Sequence, residues 1–115
     1  MNDVVAAGDK VHIVIRRTFE GDARRHFAGI VKVATDHAMR VEGYGFVHDS
    51  AENTFERSAR RQIRVFSLAG AGHLITLLPS AVDIERLEYA QIDGAMFVTD
   101  GSEFRIGVNE FGPLR

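Results

Sequence analysis

The chain of 115 residues has no cysteine, and only two of its fourteen basic residues are lysines. Without cysteine, neither a disulfide framework nor a thiolate metal site can form. That absence fits a reducing compartment, and the expectation is a cytoplasmic protein. No apolar run approaches the ~20 residues that cross a bilayer, and no basic segment followed by an apolar one opens the sequence, so neither a membrane span nor a secretory leader is expected. Charge of one sign is also lacking: fourteen basic and sixteen acidic residues leave a net charge of −2. There is no internal repeat or low-complexity stretch. HExxH, a P-loop and a serine in a nucleophile-elbow context are all missing, which removes the motif-bearing zinc proteases, phosphate-loop enzymes and serine hydrolases. The reading is therefore not an enzyme, with no cofactor.

What is present is β patterning. Asp93-Gly94 and Asp100-Gly101 lie seven residues apart around the apolar segment Ala95-Met96-Phe97-Val98-Thr99. Asp-Gly tolerates the positive φ angles of a two-residue type I′ turn, so the pair predicts a three-stranded meander over 84–111. Two-residue turns would pair Ile92 with Ala95, Ala90 with Phe97, Phe97 with Phe104, and Ala95 with Ile106. One face then collects Ala90, Ile92, Ala95, Phe97, Phe104 and Ile106, the expected core. The other collects Tyr89, Gln91, Met96, Val98, Glu103 and Arg105.

Upstream, Val11, Ile13 and Ile15 alternate with polar residues across Lys10 to Phe19, and a second alternation runs through Phe27, Gly29, Val31 and Val33. Period two with β-branched residues predicts half-buried strands. A third strand carries Met39 and Val41, but the apolar parity then moves to Tyr44 and Phe46. Gly43 and Gly45 flank the change, which predicts a bulge that lets a long strand serve two faces. Ser50 to Arg61 reads as a loop or short helix, Ile63 to Phe66 as a strand, Ala69 to Gly72 as a turn, and His73 to Leu78 as an apolar strand stopped by Pro79. Asp3 is expected to cap one short helical turn. At this length one domain should bury roughly two-thirds of its unfolded surface. The expected fold is all-β: a small, strongly bent barrel over 8–80 continued by the meander.

The chemistry-bearing residues are histidines and arginines. His26 is expected opposite Val47, which makes His26 and His48 neighbours at one barrel end, with His12 across from Ile30 and His37 at the far end. A zinc site needs three or four ligands on one point, and this layout gathers two. Asp36-His37 and His48-Asp49 put carboxylate beside imidazole, yet adjacent strand residues face opposite ways. Gly43-Tyr44-Gly45 and Gly70-Ala71-Gly72 lack the rest of a phosphate cradle. The candidate nucleic-acid surface is Arg24, Arg25, Arg57, Arg60, Arg61 and Arg64 with Tyr44, since arginine tracks phosphates and an aromatic face stacks bases. The alternative is that these arginines are solvated and paired with Glu20, Asp22, Glu52 and Glu56.

The stretch Phe27-Ala28-Gly29-Ile30-Val31 to Asp36-His37-Ala38-Met39 resembles the first signature of Sm and Sm-like proteins: a strand with glycine and an apolar residue two later, an Asp turn, then an apolar strand. The Asp turn is one residue longer than that pattern, and Arg40 stands where the family has its RNA-binding Asn. The resemblance covers about residues 8–80. It implies a strongly bent small barrel and, as in that family, rings made by strand pairing between subunits. Self-association through sheet edges is thus the expected partnership, RNA a possible partner, and a non-catalytic binding or assembly module the expected function.

Overall fold

Strands organise the whole of the computed structural model, which describes residues 4–70 and 72–108. Among these residues the chain forms nine strands: β1 (Lys10–Ile15), β2 (Arg25–Ala34), β3 (Ala38–Asp49), β4 (Thr54–Arg57), β5 (Gln62–Ser67), β6 (His73–Leu78), β7 (Glu88–Ile92), β8 (Ala95–Thr99) and β9 (Arg105–Gly107). The one helical element is a 3₁₀ turn, Ile84–Arg86, capped by the Asp83 carboxylate accepting from Glu85 N. The protein is all-β and antiparallel throughout. No described helix is long and apolar enough to cross a membrane.

Six strands form one sheet in the order β4-β3-β2-β1-β6, with β5 also paired to β3. The twelve-residue β3 is shared: its first half, Ala38 to Gly43, pairs with β5, and its second half, Phe46 to Asp49, pairs with β4. Both faces of the sheet are buried. Odd-numbered residues of β1 and β2 (Val11, Ile13, Phe27, Val31) join Met39, Val41 and Phe66 in one core. On the opposite face Ala28 and Phe46 join Phe55, Leu78 and Leu87 beneath the second sheet, β7-β8-β9. The sheet curls far enough for Phe66 of β5 to meet His73 of β6 edge-on, ring centroids 5.5 Å apart.

Curling does not close a barrel. Among the described residues no ladder joins β5 to β6, so the expected barrel over 8–80 is an open, curled sheet. The expected parity change along β3 is present, with Met39 and Val41 in one core and Phe46 in the other. The bulge lies elsewhere: the β2–β3 register shifts between Val31 and Val33, so Lys32 is the extra residue. Ser50 to Arg61 contains a strand, β4, because Phe55 enters the core opposite His48. Register differs as well: His26 is opposite Phe46 and His12 opposite Ala28, because the connections are not the lengths assumed.

The meander is half as expected. Asp93 and Gly94 have φ of 53° and 82°, and β7–β8 pairs Ile92 with Ala95. At the second turn only Gly101 takes a positive φ. The Asp100 carboxylate accepts from Ser102 N, the Ser102 hydroxyl and Asp83 N, which organises a longer loop and pairs Val98 with Ile106. Those hydrogen bonds, led by the hydroxyl, hold the Asp100 carboxyl down to about 2. The inward residues are Tyr89, Met96, Val98, Phe104, Ile106 and Val108: on β7 and β8 the face is the reverse of the expected one, while Phe104 and Ile106 turn inward as expected. The Asp3 cap and the meander's extension to residue 111 lie outside the described residues.

Candidate functional site

Strand β3 positions Tyr44 where two sequence-predicted arginines reach it. The Arg57 guanidinium sits 4.5 Å from the Tyr44 ring centroid and that of Arg61 6.0 Å away. Both are held by partners that sequence distance concealed. The Tyr44 hydroxyl donates to Glu85 Oε2, Arg61 Nε donates to Glu85 Oε1 at 2.7 Å, and Arg61 Nη1 lies 3.2 Å from Glu42 Oε2. Arg57 Nη1 donates to the Glu85 carbonyl at 2.8 Å. Hydrogen bonds from Tyr44 and then Arg61 lower the Glu85 pKa, and the Glu85 hydrogen bond raises that of Arg61. One face of Tyr44 is therefore covered by cation, and two arginines are spent on carboxylate and carbonyl oxygens.

Arg25, Arg57 and Arg64 are brought together differently, around a cleft of about 460 Å³ at the fork where β3 exchanges β5 for β4. Glu56, Ser58 and Gln62 share the lining. Arg64 donates to Gln62 Oε1 at 3.3 Å, and Arg25 is exposed. Arg60 is exposed nearby and not among the lining residues. Arg24 stands apart, on the connection between β1 and β2, lining a separate pocket.

The most organised polar group joins the two sheets. His12 and His26 project from the same face of β1 and β2, and Tyr89 arrives from β7. The Tyr89 hydroxyl lies 2.6 Å from His26 Nδ1 and 2.7 Å from His12 Nε2. Phe55 stacks on both Tyr89 and His26, with centroids 4.2 and 4.5 Å apart. His48 packs on Phe55 and bonds Asn53 at 3.0 Å. His26 and His48 thus do share a neighbourhood, through Phe55. Burial lowers the His12 pKa to about 4; burial, helped by the charges of His12, Arg24 and His48, lowers that of His26 to about 3.

One hydroxyl has one proton, so it donates to one imidazole and accepts from the other. His12 Nδ1 is buried without a partner. Since an orphaned buried N–H is rarer than an under-satisfied acceptor, the favoured assignment puts the His12 proton on Nε2, donating to Tyr89, which in turn donates to His26 Nδ1. The His26 proton is then on Nε2. Sequence reasoning missed this cluster because it placed Tyr89 on the outer face. The parity of Tyr89, Met96 and Val98 was the available signal.

Among the described residues, no group of three or more histidine, aspartate or glutamate side chains could hold a metal ion. Comparison with protein-family models, with curated proteins and with solved structures gives no match.

Proposed function

We propose that the protein is a non-catalytic assembly module in which copies join through their sheet edges. One observation carries this reading: among the described residues β5 and β6 each pair on one side only, and both expose apolar side chains. Ile63 and Val65 are 60% and 67% exposed, Leu74 and Leu77 38% and 51%. An unpaired strand edge offers a row of backbone donors and acceptors, and apolar side chains with few charges leave it unprotected against pairing. Addition of β6 from one copy to β5 of the next would extend a continuous antiparallel or parallel ladder. The resemblance to Sm-like proteins points the same way, because subunit rings in that family form by strand pairing.

Sedimentation at tens of micromolar protein should give a mass above one chain. Ile63→Lys with Val65→Lys, or Leu74→Lys with Leu77→Lys, should each give a monomer with an unchanged β circular dichroism spectrum. Mixing the two variants should restore a dimer, since each retains one intact edge. A monomeric wild type, or variants that assemble unchanged, overturns the reading.

The cleft of Arg25, Arg57 and Arg64 favours a second reading, a single-stranded nucleic acid tracked through its phosphates. A fluorescent oligonucleotide should bind at low salt with an affinity that falls steeply as salt rises, and Arg25→Ala with Arg64→Ala should weaken it at least tenfold. No binding at low salt ends this reading and leaves the first intact.

A further inference from the structure

We infer that the pocket beneath the β1–β2 connection is a binding site for an organic anion, a carboxylate or phosphate head carrying a short apolar body, with Arg24 and His26 as its recognition groups. This goes beyond both readings above and uses a different surface.

The pocket has a volume of about 350 Å³, and its lining combines the apolar Val14, Ile15, Phe19 and Val108 with Arg17, Arg24 and His26. That size and mixture, an apolar wall with a few convergent polar groups, is the usual composition of a small-ligand site. Arg24, just before β2, and His26, within it, both line the pocket.

Neither spends its outward donors on the chain. Arg24 Nε is buried with no acceptor, and no described residue accepts from its terminal nitrogens. His26 turns Nδ1 to Tyr89, and the tautomer derived above leaves Nε2–H as a donor with no acceptor. A guanidinium and an imidazole N–H lining one pocket, both without acceptors, match the two oxygens of a carboxylate or phosphate.

The field has the same sign. Arg17 is fixed by donating to the carbonyls of Glu20 and Asp22 at 2.7 and 3.3 Å, which orients the loop while leaving its charge unneutralised by a carboxylate. Burial, then repulsion from Arg17, lowers the Arg24 pKa, as expected of a cation lacking its counter-charge. Glu20 is the one acidic lining residue, exposed in the loop. Phe19, exposed in the same loop, supplies a wall for an apolar body.

The test is titration of the ¹⁵N-labelled full chain at fixed pH and ionic strength with hexanoate, inorganic phosphate and, as the uncharged control, hexanol. Hexanoate or phosphate should shift the Arg24 Nε–H and His26 ring signals saturably, and Arg24→Gln should weaken binding at least tenfold while leaving the remaining spectrum in place. Saturation by phosphate alone assigns a phosphate head, by hexanoate alone a carboxylate with its body. Hexanol binding as tightly as hexanoate, equal affinity of Arg24→Gln, or no saturable shift with either anion overturns the proposal. His26→Gln, which keeps an N–H donor in reach, should retain more affinity than His26→Leu; equal loss in both also counts against it.

Discussion

Between pH 7 and pH 5 the fold is expected to lose about 4 kcal/mol of stability, because His12 and His26 must be neutral when folded and become charged when released. Their pKa values are about 4 and about 3 in the folded protein, against an ordinary 6.5. Between those limits the unfolded chain binds more protons than the folded one, so falling pH favours unfolding. The contribution is complete above pH 6.5, declines through pH 5, and is spent near the folded values. Each histidine supplies about 2 kcal/mol of that decline between pH 7 and pH 5 on the linkage relation. Urea unfolding at pH 7, 6 and 5 measures it directly. His12→Leu should roughly halve the pH dependence. Tyr89→Phe should instead lower stability at every pH by about 1–3 kcal/mol, since it strands two buried imidazole nitrogens, while the pH slope persists. A wild-type stability that is flat from pH 7 to pH 5 would show that the cluster is not buried between the sheets.

The same cluster marks where sequence reading stopped. Alternation placed β6 at its true bounds and gave β1 and β5 within a few residues, because period two is a local property. The Asp93-Gly94 turn was legible for the same reason: its dihedral demand is met by the dipeptide itself. Asp100-Gly101 was not, because its aspartate is recruited by Ser102 and Asp83, and the longer loop sets Ile106 beside Val98; β7 and β8 turn inward the face opposite to the expected one. That reversal moved Tyr89 from the surface to the junction between the sheets. Tyr44, Arg57 and Arg61, three of the candidate nucleic-acid residues, do come together, but Glu85, their partner 24 to 41 residues away, is invisible to any local pattern. The two orphaned donors of the β1–β2 pocket are equally a matter of tertiary placement. Sequence period sets which way side chains face; it does not say what meets them.

Gly43→Ala should be among the most damaging single substitutions in the chain, at about 3 kcal/mol, and it tests the curl on which both cores depend. Gly29 and Gly43 face each other across the β2–β3 ladder, and both are buried. A Cβ on Gly43 would lie 2.0 Å from the Ala28 carbonyl oxygen and 2.5 Å from Gly29 Cα; one on Gly29 would lie 2.3 Å from the Glu42 carbonyl oxygen. These are backbone atoms, so the strands themselves must separate. Separation acts on both faces at once, since Ala28 belongs to one core and Val41 to the other. Gly45→Ala is the control: its Cβ meets the tip of the Gln62 side chain at 3.4 Å, which can swing away, and Phe27 Cδ2 at an ordinary contact distance of 3.9 Å. Thermal unfolding should therefore place Gly43→Ala and Gly29→Ala roughly 10 °C below wild type, at about 4 °C per kcal/mol for a domain of this size, with Gly45→Ala close to wild type. The double variant should fall short of the sum, because strands already forced apart by one methyl accommodate the second more cheaply. Additive losses, or a mild Gly43→Ala, would mean that the strands do not approach this closely and that the large sheet is flatter than a curl bringing Phe66 to His73 requires.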